Sequence, residues 1–282
     1  MKVILAKTAG FCMGVRRAVD ATMDLVKQGM GEIHTLGPLI HNPQVLQYLR
    51  EHGVDILTDI PEKVSGTIII RAHGVPPLQE KKLVESGAMI KNATCPRVIK
   101  VQVIIKKYRQ QDYFTVIIGD KNHAEVDGLL GHADSRGIVV SNEEDVAALQ
   151  ISGPYIIVSQ TTQDRASFAR LSDMILEKFS DGRVFNTICD STSKRQDEVR
   201  KLCGEVEAMI VVGGRSSANT GRLAEVARSM ECPVYLIETE EELDCRNLLQ
   251  YDKVAVTAGA STPVWMIDRV VAALEDFEEG KC

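Results

Sequence analysis

Three cysteines occupy the same place in a recurring strand-to-helix pattern, and no other feature of the chain constrains its fold as tightly. Cys12, Cys95 and Cys189 each follow an extended run through a short turn: Ala9-Gly10-Phe11-Cys12, Asn92-Ala93-Thr94-Cys95 and Asn186-Thr187-Ile188-Cys189. Each precedes a helical stretch, Val15 to Gln28, Arg97 to Gln111 and Lys194 to Cys203. Around them, β-branched runs alternate with helical patterns almost throughout. Strands are expected at Val3–Ala6, Thr67–Arg71, Met89–Ala93, Phe114–Gly119, Tyr155–Ser159, Val184–Asn186, Ala208–Val212, Val234–Ile237 and Lys253–Thr257. Such alternation builds parallel sheets and an α/β fold. Asn42-Pro43 opens one helix, with Gly53 just past its end. Ser141-Asn142-Glu143-Glu144 reads as a capping box, and Ser261-Thr262-Pro263 opens the last helix.

The cysteines head a weak internal repeat, 83 and 94 residues apart. Each unit runs from a strand and its cysteine into two more strands that end in polar loops. Cys12 is followed by His41-Asn42-Pro43 and Arg71-Ala72-His73-Gly74, and Cys95 by Asn122-His123-Ala124-Glu125 and Ser159-Gln160-Thr161-Thr162. Cys189 is followed by Ser216-Ser217-Ala218-Asn219 and Gly259-Ala260-Ser261-Thr262. Three similar α/β lobes around a centre are expected, over residues 1–94, 95–188 and 189–282.

Composition narrows the function classes. A chain of 282 residues that is 44% hydrophobic buries a sizeable core, and a formal net charge of −6 leaves no basic footprint for nucleic acid. Lys7 interrupts a first apolar run already too short for a signal peptide, and no stretch approaches the roughly 20 apolar residues of a spanning helix. A soluble cytoplasmic enzyme without membrane partners is expected. Seven cysteines, an odd number in so long a chain, do not suggest a disulfide scaffold. They are buried small hydrophobes or metal ligands.

Helix N-termini present free N–H groups and partial positive charge, which favours the thiolate, the metal-binding form. Basic residues follow each of the three: Arg16 and Arg17, Arg97 and Lys100, Lys194 and Arg195. Taken singly, each is an ordinary buried cysteine; three in matching settings argue for ligands. Cys203, Cys232, Cys245 and Cys282 lack the setting and are expected to be structural, Cys282 at a mobile chain end. The absence of any C-x-x-C pair disfavours a zinc ribbon or ferredoxin-like run. Three thiolates suit a cubane cluster with one iron lacking a protein ligand; a three-cysteine zinc site satisfies the same spacing. The loops at the strand ends supply His41, His73, His123, Glu125, Thr161, Ser217, Asn219 and Ser261. Ligands in α/β folds bind at the carboxyl ends of strands, and this donor-rich set suits a phosphate-type anion. Singly, these residue types also serve as caps and turns.

The sequence resembles the 4-hydroxy-3-methylbut-2-enyl diphosphate reductases of the non-mevalonate isoprenoid pathway. The resemblance rests on Ala9-Gly10-Phe11-Cys12-Met13-Gly14-Val15-Arg16-Arg17-Ala18, His41-Asn42-Pro43, Ala72-His73-Gly74-Val75 and Ala93-Thr94-Cys95-Pro96. It continues in Asn122-His123-Ala124-Glu125-Val126, Gln160-Thr161-Thr162, Thr187-Ile188-Cys189, Ser217-Ala218-Asn219 and Thr257-Ala258-Gly259-Ala260-Ser261-Thr262-Pro263. These segments stand in the family's order from near residue 3 to near 275.

The resemblance implies three lobes in pseudo-threefold arrangement around one [4Fe–4S] cluster per chain, held by Cys12, Cys95 and Cys189, with one iron not ligated by protein. His41, His73, Ser217, Asn219 and Ser261 would hold the diphosphate, with His123 beside it. Glu125 would donate the proton, and Thr161 would help hold the hydroxyl end. The implied reaction is a two-electron, two-proton reductive dehydroxylation to isopentenyl and dimethylallyl diphosphates, fed by an external one-electron donor such as a ferredoxin or flavodoxin. Negative charge on the diphosphate and the reduced cluster is expected to raise the pKa of Glu125. Three positions depart from the family pattern. Ala124 stands where proline is usual, which is expected to loosen the His123–Glu125 loop; Asn92 replaces an aspartate, and Ala218 a serine found in some members. A redox-neutral iron–sulfur hydro-lyase and an iron–sulfur sensor or carrier are the rival readings.

Overall fold

The computed structural model describes residues 1–278. The chain runs through β1 (Lys2–Leu5), α1 (Met13–Lys27), β2 (Ile33–Leu36), α2 (Pro43–Glu51), β3 (Val54–Leu57), β4 (Thr67–Ile70), α3 (Pro77–Glu85) and β5 (Met89–Asn92). It continues with α4 (Pro96–Arg109), β6 (Phe114–Ile118), α5 (Ala124–Ala133), β7 (Gly137–Val140), α6 (Glu143–Ala148), β8 (Tyr155–Ser159), α7 (Arg165–Lys178) and β9 (Gly182–Phe185). The last third holds α8 (Asp190–Cys203), β10 (Ala208–Val212), α9 (Ala218–Ser229), β11 (Val234–Ile237), α10 (Cys245–Leu248), β12 (Lys253–Ala258) and α11 (Val264–Glu278). Among the described residues the strands form three four-stranded sheets, β3-β2-β4-β5, β7-β6-β8-β9 and β1-β12-β10-β11, with every pairing parallel. The expected α/β class with parallel sheets is what the chain adopts.

Parallel strands linked by helical crossovers are covered on both faces and read as continuous apolar runs. Val116, Ile117 and Ile118 of β6, Tyr155 to Val158 of β8 and Ala208 to Val212 of β10 are all buried. Alternate residues serve opposite faces. Met209 and Val211 pack with Val199 of α8 and Leu223 of α9, whereas Ile210 and Val212 pack with Ile267 and Val270 of α11.

The three sheets repeat one strand order. In each, the first two strands met along the chain pair, the third joins the other side of the first, and a fourth edges the third. For the last sheet that fourth strand is β1, from the start of the chain. The sequence repeat places β1 with residues 1–94; in the structure β1 pairs with β12, Leu5 opposite Val256. The repeat is thus circularly permuted, and every cysteine of interest follows the edge strand of one sheet and starts the helix leading to the next. By its contacts the chain divides into two compact units. One comprises Met1–Met13, His41–Val45 and the chain from Asp190 on; the other comprises Gly14–Ile40 and Leu46–Cys189.

Two further expectations change. The structure adds β2, β3 and β7, four-residue strands outside those expected from the sequence. The cap of α6 lies one residue later than read: Asn142 accepts from the Asp145 N–H at 2.9 Å, while the Asp145 carboxylate accepts from Ser141 N–H at 2.8 Å. No helix among the described residues is long and apolar enough to cross a membrane. Asn142→Ala should lower unfolding stability by about 1 kcal/mol, with Glu144→Ala staying within ~0.5 kcal/mol, in chemical denaturation.

Candidate active site

Each of the three cysteines is the residue immediately before a helix, α1, α4 or α8. Their backbone N–H groups make equivalent bonds. Cys12 donates to Ala260 O at 3.1 Å, Cys95 to Ala72 O at 2.9 Å, and Cys189 to Thr161 O at 2.9 Å. Each acceptor lies in the loop after the sheet strand next to the cysteine's own strand: β12, β4 or β8. Parallel pairing makes this possible, because Ile70 sits opposite Asn92 and neighbouring strands end side by side. The cysteine loops are also tied internally. Asn92 Oδ1 accepts from Thr94 N–H at 2.9 Å, and Asn186 Oδ1 from Ile188 N–H at 3.1 Å. Asn92 therefore supplies the acceptor that an aspartate would. The loop to Cys12 turns instead at Gly10, whose φ of +103° suits glycine.

Cys203 and Cys232 differ. Both pack into the apolar layer beneath β10, and burial pushes the Cys203 thiol up to about 12 and raises that of Cys232. They fit the structural role expected of them. The Cys245 side chain and Cys282 lie outside the described residues.

In the unit Gly14–Ile40 and Leu46–Cys189, one run of contacts joins six of the expected residues. Cys95 bonds the residue before His73, and the His73 and His123 rings meet edge to face, centroids 5.5 Å apart. His123 Nδ1 accepts from Glu125 N–H at 3.1 Å, capping α5. A neutral His123 with Nδ1 accepting carries its proton on Nε2, as a donor. Burial lowers the His123 pKa, opposed by Asp120 and Asp127, which favours that neutral form. Ala124 opens α5 directly behind this cap.

Glu125 belongs to the first turn of α5, where a carboxylate ordinarily faces solvent and the helix dipole. Here it is 2% exposed. One carboxylate oxygen accepts from Thr161 N–H at 2.6 Å, the other from Thr161 Oγ1 at 2.8 Å. Burial raises its pKa to about 7, against the lowering effect of the Thr161 bonds, and Asp120 adds to the rise. The expected direction holds, but burial within the chain's own fold is the main cause. Thr161 then passes through its carbonyl to Cys189. Gln160, not anticipated, braces this corner: buried, it accepts from Asp120 N–H at 2.8 Å and donates to Thr162 Oγ1 at 2.9 Å. Its place inside Gln160-Thr161-Thr162 was the only sequence signal.

The other unit gathers the rest. Ser261 Oγ donates to His41 O at 3.0 Å and lies 3.4 Å from Ser217 Oγ. Ser217 caps α9 by accepting from Thr220 N–H, with Ala218 as the first helical residue. Asn219, 4% exposed, has an amide nitrogen with no hydrogen-bond partner among the described residues. Gly214 sits against the His41 loop: a Cβ there would lie 2.7 Å from His41 O. The same unit holds Cys12, bonded to the residue before Ser261.

The family model described as LytB protein matches residues 3–275. This chain belongs to the LytB family. Curated relatives include the 4-hydroxy-3-methylbut-2-enyl diphosphate reductase of Geotalea uraniireducens, 43% identical over all of this chain and 99% of that one. The Aquifex aeolicus reductase of the same name is 39% identical over 99% of this chain and 98% of its own. A LytB-like fold is also seen in the solved E-1-hydroxy-2-methyl-but-2-enyl-4-diphosphate reductase of Plasmodium falciparum, with TM-score 0.93 and 29% identity over 97% of this chain and 87% of that one. The solved (E)-4-hydroxy-3-methyl-but-2-enyl diphosphate reductase, the terminal enzyme of the non-mevalonate pathway, is 40% identical over 98% of this chain and all of its own, with TM-score 0.71. The family resemblance read from the sequence motifs is correct.

A raised carboxyl pKa makes stability pH-dependent. Between about pH 4.5 and 7 the folded protein keeps the Glu125 proton that the unfolded chain releases, so stability falls as pH rises through this window. Glu125→Gln should remove that slope and gain on the order of 3 kcal/mol over the parent at pH 8. Denaturation curves at pH 5 and 8 measure it; parallel pH profiles for the two proteins would contradict the burial account.

Proposed function

We propose that this chain is a 4-hydroxy-3-methylbut-2-enyl diphosphate reductase. It breaks the allylic C–O bond, forms a C–H bond, consumes two electrons and two protons, and releases water with isopentenyl or dimethylallyl diphosphate. The observation that carries this reading is Glu125: buried, tied to a hydroxyl, and titrating near neutrality. A general acid works best with its pKa near the working pH.

The cysteine set fits an iron–sulfur cluster. Cys12, Cys95 and Cys189 are half-buried at loop ends, each with its backbone pinned by the same kind of bond; Cys203, equally half-buried, and the buried Cys232 follow no strand and make no such bond among the described residues. Three thiol donors of one type suit a [4Fe–4S] cubane with one iron left for substrate. When bound, such a cluster supplies electrons one at a time and an open Lewis-acidic position beside the substrate hydroxyl. An external donor such as a ferredoxin or flavodoxin would feed it, in the cytoplasm.

The chain's own groups do the rest. Protonated Glu125 donates to Thr161 Oγ1, and the threonine hydroxyl, free to rotate, turns its own hydrogen outward. The pair thus delivers a proton to the leaving oxygen while Thr161 stays anchored through its N–H. Neutral His123 offers Nε2–H to a diphosphate oxygen. His41, His73, Ser217 and Ser261 supply further donors. The unpartnered Asn219 amide nitrogen is a buried donor whose cost a ligand oxygen would offset.

Cys95→Ser, like Cys12→Ser and Cys189→Ser, should abolish stable iron and sulfide binding, while Cys203→Ser retains it; a full cluster in the Cys95 variant would end the ligand assignment. Glu125→Gln should still bind cluster and substrate, with anaerobic turnover down by ~10²–10⁴-fold. A rate within a fewfold of the parent, at matched cluster content, would remove Glu125 as proton donor.

A further inference from the structure

Two arginines make the same kind of connection. Arg17, on α1 five residues after Cys12, donates through an η nitrogen to Thr94 O at 2.9 Å, the carbonyl immediately before Cys95. Arg195, on α8 six residues after Cys189, donates through Nη2 to Gly10 O at 2.6 Å, two residues before Cys12. In both, the helix that follows one cysteine reaches the loop that presents another. The loop before Cys189 is braced without charge: Thr187 Oγ1 accepts from Ser159 N–H at 2.8 Å and donates to Ser159 O at 2.7 Å.

Arg195 is the more telling of the two. It is 5% exposed, and its other η nitrogen donates to Ser191 O at 3.1 Å and to the Ser191 hydroxyl. Burying a guanidinium is costly, and an apolar side chain would fasten α8 more cheaply. The planar fork, however, serves Gly10 and Ser191 at once, which neither lysine nor an apolar residue does. It also fixes a positive charge beside a loop that ends in a thiolate ligand. Gly10 takes a positive φ in that loop, and its carbonyl is the atom that Arg195 holds.

We propose that Arg17 and Arg195 are positioning residues that hold the Cys95 and Cys12 loops in ligating geometry and electrostatically favour the reduced cluster. This rests on the reading that Cys12, Cys95 and Cys189 carry an iron–sulfur cluster. Removing a fixed positive charge disfavours the more negative reduced state, so the reduction potential falls. Losing the bond to the carbonyl loosens the ligand loop, so the cluster is lost faster. A residue that merely stabilised the fold would change the melting temperature and leave the potential alone.

The test compares Arg195→Gln, Arg195→Lys, Arg17→Gln and Arg17→Lys with the parent, all reconstituted anaerobically with ferrous iron and sulfide. Cluster loss to an iron chelator and the midpoint potential are measured, together with the melting temperature of the cluster-free proteins. Both glutamine variants should lose cluster about tenfold faster or more and show a more negative potential. The lysine variants should restore the potential but not the retention. Arg17 is exposed, so its variants carry the test if Arg195→Gln fails to fold. Glutamine variants that keep the parent's loss rate and potential, or differ only in melting temperature, would overturn the proposal. Failure of the parent itself to take up iron and sulfide would instead overturn the cluster reading, and the proposal with it.

Discussion

The structure depends on one repeated hydrogen bond: the N–H of a cysteine at a strand-to-helix turn, donated to the loop beyond the neighbouring parallel strand. Cys12, Cys95 and Cys189 all make it. The bond requires adjacent strands that run the same way and end flush, which a parallel sheet provides. It also links each cysteine to a polar loop carrying chemistry: Ala72 precedes His73, Ala260 precedes Ser261, and the third acceptor is Thr161 itself. The placement of the cysteines and that of the polar loops are thereby one structural decision.

The circular permutation of the repeat follows the same logic. A cysteine at the end of an edge strand starts the helix that leads along the chain to the strands of the next sheet. β1 supplies the edge strand of the last sheet, so Cys12 follows an edge strand as Cys95 and Cys189 do. Cys203, at the far end of α8, and Cys232, just before β11, follow no edge strand and pack against the layer beneath β10.

The α/β class, nine of the twelve described strands and the shared setting of Cys12, Cys95 and Cys189 were visible in the sequence, because long apolar runs and strand–Cys–helix turns are local signals. The strands β2, β3 and β7 were not; they are no shorter than β5 and β9, but none leads into a strand–Cys–helix turn, the local signal that marks those two. The pairing of β1 with β12 is a contact between the two ends of the chain, which periodicity does not encode. The sequence points to Glu125 as a candidate acid and to bound charge as the cause of a raised pKa; that its helix turns it inward onto Thr161, so that burial is the main cause, is a tertiary fact. Gln160 stood inside a recognised motif and Arg195 just beyond one, yet their partners, 40 and 185 residues away, appear only in the fold.

The central claim is that one chain couples an iron–sulfur cluster to proton delivery from Glu125 in order to remove a hydroxyl. It is tested most directly by supplying the anaerobically purified parent protein, its iron and sulfide counted, with the allylic diphosphate in the presence and absence of a low-potential reductant. The account predicts four irons per chain and formation of isopentenyl and dimethylallyl diphosphates only when electrons are supplied. Equal turnover without reductant, or none with a full cluster and reductant present, would contradict it.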